Sequence, residues 1–533
     1  MPKLKYLLLP LFALFMLLVW MGPALLAGYP YWVSAIIPRA RELAETGIIT
    51  EDKMRLVTLV MTYIHPLLSW ENVLGWSAVS AGAFALALIA WWWAVKQLFD
   101  NRIAWASMVV MGFMPMYWAE SLRLEGYTFA LLFLFLGFAL FIKFQKKQRL
   151  LALILSGACF GAAIASRSTF VTFLPWFVLS FLYLNKKKWK KALMQSGIYL
   201  IVAYAFFVLP LYPNALGRGM SPVERVQVFL PSLNEKTPGE GHLYPDQYIF
   251  ENYREEFDEY TKERIASEKS FLVRQEDRHY RMLFGVGDNS EIDEILNGIW
   301  LFVNILPPLV LTETVGGIFL WLLIIPGIFV LYKKKRKLLW MMLGLWLSME
   351  LIIRFILHFG RDHLIDVGWM LALFSAIGIA TVSDSVKGKF KKLSATGIAV
   401  VIVIIVSLQL VQANRKLFTR LYERSFVPQM FAATEVLKNI PKDAVIAHPR
   451  KAEFFFFSPQ TPVTIHNPAI EFLSERGELS APFTYYGVTH IMGYSEEETA
   501  KIRRQAFVQN IELPEFGGVE ATPLIRMLLH VIR

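Results

Sequence analysis

Long apolar runs recur along nearly the whole chain, and they constrain its fold more than any other feature of the sequence. A helix of roughly 20 apolar residues is long enough to cross the hydrocarbon core of a bilayer. Because that core offers backbone groups no hydrogen-bond partners, such a run satisfies them within an α-helix. Only 18% of the 533 residues are charged, against about 25% in soluble domains. The sequence predicts about eleven spans, at Tyr6–Leu26, Asn72–Val95, Ile103–Trp118, Tyr127–Ile142, Leu150–Ser166, Thr169–Leu184, Met194–Tyr212, Val315–Leu331, Leu338–Leu357, Leu364–Val382 and Ala395–Val411.

Basic residues collect in alternate connections between these runs, and they predict how the chain is oriented. Lysine and arginine are retained on the cytoplasmic side of a membrane. If the spans simply alternate, every basic group falls on the same side, together with the N-terminus. We therefore expect a multi-pass protein of the plasma (inner) membrane with a cytoplasmic N-terminus and an extracytoplasmic C-terminal domain. The basic groups are Lys3 and Lys5; Lys96 and Arg102; Lys143, Lys146, Lys147 and Arg149; Lys186–Lys191; Lys333–Lys337; and Lys387–Lys392.

The same alternation places four segments on the outer side: Gly28–Trp70, the turn Ala119–Gly126, the acidic loop Pro213–Thr314 and the tail from Gln412. In the tail, strand-like segments alternate with helical ones, which favours a small layered α/β domain. The predicted architecture is a polytopic α-helical membrane domain over residues 1–411, with outer loops 28–70 and 213–314, and a soluble α/β domain over 412–533. The tail strands are expected at Ala444–His448, Val463–His466 and Thr489–Gly493, with helices at Gln429–Asn439, Ala469–Arg476 and Glu496–Arg504 and a closing segment at Leu524–Ile532.

Several common kinds of site have no counterpart in the sequence. It contains no glycine-rich phosphate loop, no Cys/His metal spacing and no nucleophile elbow. A single cysteine, Cys159, excludes an internal disulfide. The chain has a net charge of +11, and its basic residues collect in the predicted cytoplasmic connections. We therefore expect membrane lipids and no nucleic acid as partners. No protein metal site is predicted, although carboxylates at the outer surface leave a divalent cation open as a cofactor.

The outer turn between Tyr117 and Tyr127 carries the clearest candidates for chemistry. Glu120, Arg123 and Glu125 stand there at one membrane surface among aromatic neighbours. Ionisable groups at the ends of spans are costly to keep among apolar residues, which indicates function. The competing interpretation is an interfacial aromatic belt with an incidental ion pair.

Further ionisable residues are predicted on the same outer side. The first outer loop carries Glu51, Asp52 and His65, and Glu71 directly follows that loop. Arg167 follows one span, and Arg361 and His363 belong to a basic cluster between two others. A cluster of cations at a membrane surface suits a lipid phosphate, while snorkelling at a helix end is the competing interpretation for Arg354 of that cluster.

Five short segments, in this order along the chain, carry a resemblance to a known family. They are Arg41–Gly47, Tyr63–Leu68, Phe113–Glu125, Ala165–Ser168 and Arg361–Leu364. Their order and predicted side resemble the GT-C superfamily of membrane glycosyltransferases, above all protein O-mannosyltransferases and lipid A aminoarabinose transferases. The second is similar to that family's "HPPL" stretch and the third to "SPLFLYYSRLARPD". The fourth and fifth occupy the places of "LTKG" and "RYLLP".

This resemblance implies an inverting transfer of a sugar from a polyprenyl-phosphate-linked donor to a lipid, glycan or protein acceptor. An acceptor hydroxyl then attacks the anomeric carbon, which requires a carboxylate base, and cations stabilise the departing lipid phosphate. The motif match makes Glu125 the base or acceptor-orienting carboxylate. Glu51, Asp52 and Glu71 are the substitute carboxylates, and Glu120, His65, Arg123, Arg167, Arg361 and His363 are the candidate substrate-binding residues.

One departure from the family pattern leaves the activity open. The family presents an Asp-Glu pair just after its first span, whereas alignment on Arg41–Gly47 puts Trp32 and Val33 there. A non-catalytic protein of the same fold that binds lipid-linked sugars is therefore the alternative. A transporter is a weaker one, because transporters show inverted repeats and helices broken near the bilayer midplane, and the sequence shows no internal repeat.

Overall fold

The computed structural model divides the chain into two compact units. One comprises Met1–Ile36, Ala40–Pro222 and Gly298–Leu421, and the other Ile37–Arg39, Val223–Asn297 and Tyr422–Arg533. The structure describes residues 2–27, 36–46, 55–70, 72–184, 188–211, 248–249, 252–253, 256–257, 259–260, 318–351, 368–390, 392–424, 437, 439–448, 460–465, 467–492, 496–505 and 509–511.

The first unit is mainly helical in its described part, and the described residues of the predicted apolar runs lie almost entirely in helices. Six of these helices, α1, α4, α7, α10, α13 and α14, are long and apolar enough to cross a membrane; the count of eleven spans stays a prediction. The helices are α1 Pro2–Ala27, α2 Ile36–Thr46, α3 Arg55–Ile64, α4 Val73–Leu98, α5 Asn101–Phe113, α6 Pro115–Leu122, α7 Tyr127–Lys147, α8 Leu150–Ser166, α9 Leu174–Leu184, α10 Trp189–Val208, α11 Ile318–Lys334, α12 Arg336–Leu351, α13 Gly368–Lys389 and α14 Ala395–Arg424.

The outward faces of these helices are apolar, as the sequence predicts for a multi-pass membrane protein. On α1, Leu18 is exposed over 60% of its surface, and on α14 Leu408 over 65%. The inward faces bury large aromatic side chains such as Trp20, Trp76 and Phe84. Contiguous apolar surface of this extent is rare on proteins that face water. It suits helices surrounded by lipid.

One predicted span, Ile103–Trp118, is wrong as a continuous helix, because it breaks at Met114 into α5 and α6. Proline disfavours helical geometry in the residue before it, and Met114 is extended (φ −62°, ψ 130°) in front of Pro115. The break leaves carbonyls that side chains from other helices satisfy. Trp20 Nε1 donates to the Gly112 carbonyl at 3.0 Å, and Asn414 Nδ2 donates to the Phe113 carbonyl at 2.7 Å.

Glycines bring pairs of helices into direct backbone contact within the bundle. A Cβ added at Gly327 of α11 would overlap the Phe374 carbonyl of α13, and one added at Gly378 of α13 would overlap the Leu323 carbonyl of α11. Gly161 of α8 lies equally close to the Ala203 carbonyl of α10. Small residues allow membrane helices to approach and gain van der Waals contact where the hydrophobic effect is absent.

Several of the basic connections meet at one end of the bundle. Lys146 donates to the carbonyl of Gln97, and Lys335 donates to the carbonyl of Leu98. Both lysines thus bond the C-terminal turn of α4, where cations are favoured by the helix dipole. Arg102 of α5 forms an ion pair with Asp384 of α13, with 2.7 Å between the charged groups.

The second unit contains a parallel sheet of four strands in the order β2-β1-β3-β4, which confirms the predicted α/β fold of the tail. Its hydrophobic core includes Ile470, Leu473 and Ile491. Phe257, from the long predicted outer loop, packs edge-on against Phe472 with ring centroids 5.2 Å apart. The elements are β1 Val445–His448, β2 Thr461–Thr464, α15 Asn467–Glu475, α16 Ser480–Tyr485, β3 His490–Met492, α17 Glu496–Gln505 and β4 Gln509–Ile511.

The tail differs from its prediction in four places. Helix α14 continues to Arg424 instead of ending at Val411, so the helix overruns the predicted domain start at Gln412. The second strand begins at Thr461, two residues before its predicted start. Helix α16 and strand β4 have no predicted counterpart. The predicted helix Gln429–Asn439, except for two of its residues, and the closing segment Leu524–Ile532 lie outside the described residues.

Candidate active site

The candidate site is built on the turn between α6 and α7. Helix α6 ends at Leu122, and α7 begins at Tyr127 after Gly126. Gly126 has φ +84°, a left-handed conformation that glycine adopts at little steric cost. The tight turn therefore holds three charged residues of one short segment beside the ends of two helices.

Arg123 is bonded to both carboxylates of this turn. Its Nη1 lies 2.6 Å from Glu120 Oε1, and its Nη2 lies 2.9 Å from Glu125 Oε1. The Glu120 side chain is 9% exposed and the Glu125 side chain 19% exposed. Charge-assisted hydrogen bonds of this kind are about twice as strong as neutral ones. Arg123 thus fixes the two acids at unequal depths, with Glu125 the more accessible.

Two hydroxyl groups hold the backbone of the turn in place. Ser80 Oγ of α4 donates to the Arg123 carbonyl at 2.9 Å and lies 3.0 Å from Thr128 Oγ1 of α7. Both hydroxyl residues are buried. They have no role in the predicted site, and the only signal in the sequence is a hydroxyl residue inside an apolar run. In the structure they tie α4 and α7 to the charged turn.

Arg167 joins the cluster from the C-terminal end of α8. Its Nη2 donates to the Tyr127 hydroxyl at 3.0 Å, and its Nη1 to the Glu125 carbonyl at 3.4 Å. The guanidinium carbon lies 4.3 Å from the centre of the Tyr127 ring, within range of a cation–π interaction. Four of the predicted site residues, Glu120, Arg123, Glu125 and Arg167, are therefore together in one place.

Comparison with known proteins identifies the architecture. Residues 56–213, from α3 to just beyond α10, match the family model of dolichyl-phosphate-mannose-protein mannosyltransferases. ArnT from Cupriavidus metallidurans, solved with undecaprenyl phosphate, is 12% identical with a TM-score of 0.52, over 95% of this chain and 90% of that one. The chain has the GT-C glycosyltransferase fold. This is the fold that the resemblance of the sequence motifs implies.

Two further GT-C structures are similar over nearly the same extent. The apo oligosaccharyltransferase of Archaeoglobus fulgidus is 10% identical with a TM-score of 0.53, over 90% of this chain and 69% of that one. The same enzyme, AglB, in complex with an inhibitory peptide and a dolichol-phosphate, has a TM-score of 0.51 at the same identity and coverage. No curated protein sequence matches the chain.

His65 occupies a separate place within the GT-C fold. It begins a short 3₁₀ helix, His65–Leu67, and its Nδ1 donates to the Thr62 carbonyl at 2.7 Å. Its ring stacks on Trp70 with centroids 4.8 Å apart. Among the described residues, its contacts stay within this stretch between α3 and α4. The structure therefore does not join His65 to the charged turn.

The remaining predicted site residues, Glu51, Asp52, Glu71, Arg361 and His363, lie outside the described residues. One observation concerns the chain that follows Arg361 and His363. Gly368, the first residue of α13, packs against α6 so tightly that an added Cβ would lie 3.0 Å from the Tyr117 hydroxyl. Helix α13 thus begins beside the helix that carries Glu120.

A buried arginine that the sequence analysis missed lies at the start of α3. Arg55 is 6% exposed, and its guanidinium carbon lies 5.4 Å from the centre of the Phe207 ring. Its signal in the sequence is its position as the first residue of an amphipathic helix directly after the acids at 51 and 52. Buried arginines are rare unless a partner or a ligand compensates for the charge.

The charged turn does not fit a divalent cation. Mg²⁺ and Ca²⁺ take several oxygen ligands from converging groups, whereas a guanidinium lies between the two carboxylates and bonds to both. Within the described residues no three His, Cys, Asp or Glu side chains converge.

Proposed function

We propose that the protein transfers a sugar from a polyprenyl-phosphate-type donor to a lipid, glycan or protein acceptor at the outer face of the plasma membrane. The observation that carries this proposal is the cluster of Glu120, Arg123, Glu125 and Arg167. It lies within the segment that matches the mannosyltransferase model. ArnT, which has the same fold, was solved with undecaprenyl phosphate, so a donor carried on a lipid phosphate is the natural first candidate.

In this proposal Glu125 receives the proton of the acceptor hydroxyl. Its Oε1 accepts from Arg123, while its Oε2 has no partner among the described residues. The acceptor oxygen forms a bond to the anomeric carbon, and the bond from that carbon to the lipid phosphate breaks with inversion. A base must lie within hydrogen-bond reach of the proton that it removes, and Glu125 is the more exposed acid of the pair.

The two arginines then have different tasks. Arg123 is bonded to both acids, so it positions the Glu125 carboxylate. Arg167 contributes a positive charge that a hydroxyl, a carbonyl and an aromatic ring hold beside the turn. A fixed cation stabilises negative charge as it develops on a leaving phosphate. Arg167 is therefore the phosphate-side residue, with Arg361 and His363 as further candidates from the sequence.

The orientation is part of the same proposal: the N-terminus is cytoplasmic and the tail domain extracytoplasmic. Its support is the meeting of basic connections at one end of the bundle. The test uses the single cysteine, because Cys159→Ala gives a background in which one introduced cysteine can be labelled. Lys389→Cys should resist a membrane-impermeant maleimide applied to intact cells, and Arg476→Cys should react. The reverse pattern would overturn the orientation.

The proposed activity is tested with the purified full-length protein and labelled polyprenyl-phosphate sugars. Glu125→Gln should reduce turnover by about 10²–10⁴-fold, the usual contribution of a general base, while donor binding is retained. The matched control is Asp384→Asn, which removes a carboxylate from the other arginine pair and should leave turnover unchanged. Full activity of the Glu125 variant would remove this residue from the mechanism.

A non-catalytic lipid-linked sugar-binding protein is the second candidate. The observation that favours it is Trp32-Val33 at the position of the family's acidic pair. The same experiment distinguishes the two. Binding of a donor by the wild type without turnover of any donor and acceptor pair supports the second function.

A further inference from the structure

A cavity of about 690 Å³ lies inside the first unit, away from the charged turn. Its lining comes from α4, α7, α9, α12 and α13 and from the basic segment Lys333–Lys337 that joins α11 to α12. None of the described candidate site residues belongs to the lining. Ligand-binding cavities occupy roughly 300–1,000 Å³, so this one is large enough for a ligand of its own.

The walls of the cavity are apolar and largely aromatic. Trp91, Phe138, Phe177 and Trp369 all contribute to them. The stretch Trp91–Leu98 of α4 runs for about 10 Å at 1.5 Å per residue. One leaflet of a bilayer has a hydrocarbon depth of about 15 Å. The cavity therefore has the surface chemistry and the depth to receive part of an acyl chain.

The cavity has a rim of positive charge. Lys333–Lys337 is a run of five basic residues, and Lys146 of α7 lies beside it in the lining. Among the described lining residues, none is acidic. Burial, together with the nearby charge of Lys146, lowers the pKa of Lys335 from its usual 10.5. Cations are thus crowded at this rim, and the described lining supplies no anion to balance them.

The lining also holds a hydrogen-bond donor with no partner. Gln145 Nε2 is buried and bonds to no atom of the described residues. A buried amide group without a hydrogen-bond partner destabilises a protein. An oxygen of a bound headgroup or ester would satisfy it at the boundary between the basic rim and the apolar walls.

We propose that this cavity binds an anionic phospholipid. Its phosphate lies on the basic segment Lys333–Lys337, and an acyl chain enters between the aromatic walls. Free phosphate would use the rim but not the walls, and a zwitterionic lipid would use the walls but carry no net charge for the rim. Basic pockets between membrane helices bind anionic headgroups on the cytoplasmic side, which agrees with the orientation expected for these loops.

The test is native mass spectrometry of the delipidated full-length protein with added phosphatidylglycerol, phosphatidylcholine of the same chains, or inorganic phosphate. One phosphatidylglycerol should bind at least tenfold more tightly than phosphatidylcholine. Each basic residue near an anionic headgroup contributes about a fivefold gain in affinity. The triple change Lys333→Gln, Lys334→Gln and Lys337→Gln should therefore lower phosphatidylglycerol affinity at least tenfold.

The matched control removes the same charge outside the cavity. The triple change Lys387→Gln, Lys389→Gln and Lys392→Gln should leave the phosphatidylglycerol affinity within about twofold of the wild-type value, because no charge at the cavity is lost. A second variant, Ala94→Phe, narrows the apolar part and should weaken both lipids, and Leu345→Phe serves if Ala94→Phe fails to fold. Equal affinity for the two lipids, equal losses in both triple variants, or displacement of the lipid by millimolar phosphate would each overturn the proposal.

Discussion

The bond of Arg123 to two carboxylates makes a quantitative prediction about stability. Replacing Arg123 with Gln removes both ion pairs and leaves Glu120 charged where 9% of its side chain is exposed. Removing one partner of a buried ion pair typically costs about 3–5 kcal/mol, because the other charge stays buried and uncompensated. Arg123 and Glu125 are 16% and 19% exposed. This partial access to solvent places the expected loss near the lower end, about 3 kcal/mol.

The matched control is Arg102→Gln at the other arginine pair. Arg102 also donates two hydrogen bonds, at 2.7 and 3.2 Å, but its partner Asp384 is 57% exposed. Exposed pairs contribute about 0–1 kcal/mol. The free energy of unfolding of each variant can be measured in mixed micelles by titration with SDS, followed by tryptophan fluorescence. The expected difference between the two substitutions is about 2 kcal/mol or more.

A double variant tests the reason for the effect. If the stranded charge of Glu120 causes the loss, adding Glu120→Gln to Arg123→Gln should restore part of the stability, because a neutral amide replaces the buried carboxylate. Residues in direct contact show such non-additivity in a double-mutant cycle. The reasoning is refuted if Arg123→Gln costs no more than Arg102→Gln, or if the double variant is as unstable as the single one.

Three other predictions follow from individual contacts in the structure. Gly327→Ala should destabilise the bundle by about 1–3 kcal/mol, since the added methyl group overpacks against the Phe374 carbonyl, whereas Gly82→Ala, with open space at its Cβ, should be neutral or stabilising by SDS titration. Arg167→Lys should lower kcat/KM for the donor about 10- to 100-fold, because an ammonium group cannot reproduce the guanidinium contacts; unchanged kinetics would exclude Arg167 from donor binding. The hydrogen bond to Glu478 raises the pKa of Tyr253 above its usual 10, so the stabilisation is present below pH 10 and is lost as the pH rises through the folded value. The thermal unfolding temperature of the wild type should therefore fall more steeply above pH 10 than that of Tyr253→Phe. Parallel curves of unfolding temperature against pH would contradict this linkage.

The sequence predicts helices at the apolar runs because a helix that crosses a bilayer needs roughly 20 apolar residues. It does not predict the break at Met114, since a proline inside a span is compatible with a kink as well as with a break. The length of the apolar run also fails to predict where α14 ends, because the run ends at Val411. Polar residues follow it, yet the helix continues to Arg424 because Asn414 is buried and bonded to α5.

The candidate site could be predicted only in part for a similar reason. The three-residue spacing of Glu120 and Arg123 places them on one helical face, so their pairing follows from local geometry. The contacts of Arg167 from α8 and of Ser80 from α4 with this turn depend on how helices that are distant in the sequence pack together. In the tail, β4 is a strand of three residues, Gln509–Ile511, which is too short to show an alternating pattern.

The break between α5 and α6 has a consequence for the biosynthesis of this protein. Proline at 115 leaves the Phe113 carbonyl without a partner in its own helix, and the amide that satisfies it belongs to Asn414, 301 residues later in the chain. A ribosome adds roughly 5–20 residues per second, so this carbonyl enters the membrane long before its partner is made. The segment that carries the acidic residues therefore reaches its final form only when the last helix has been inserted. A chain truncated before α14 should keep most of its other helices and yet lack a stable candidate site.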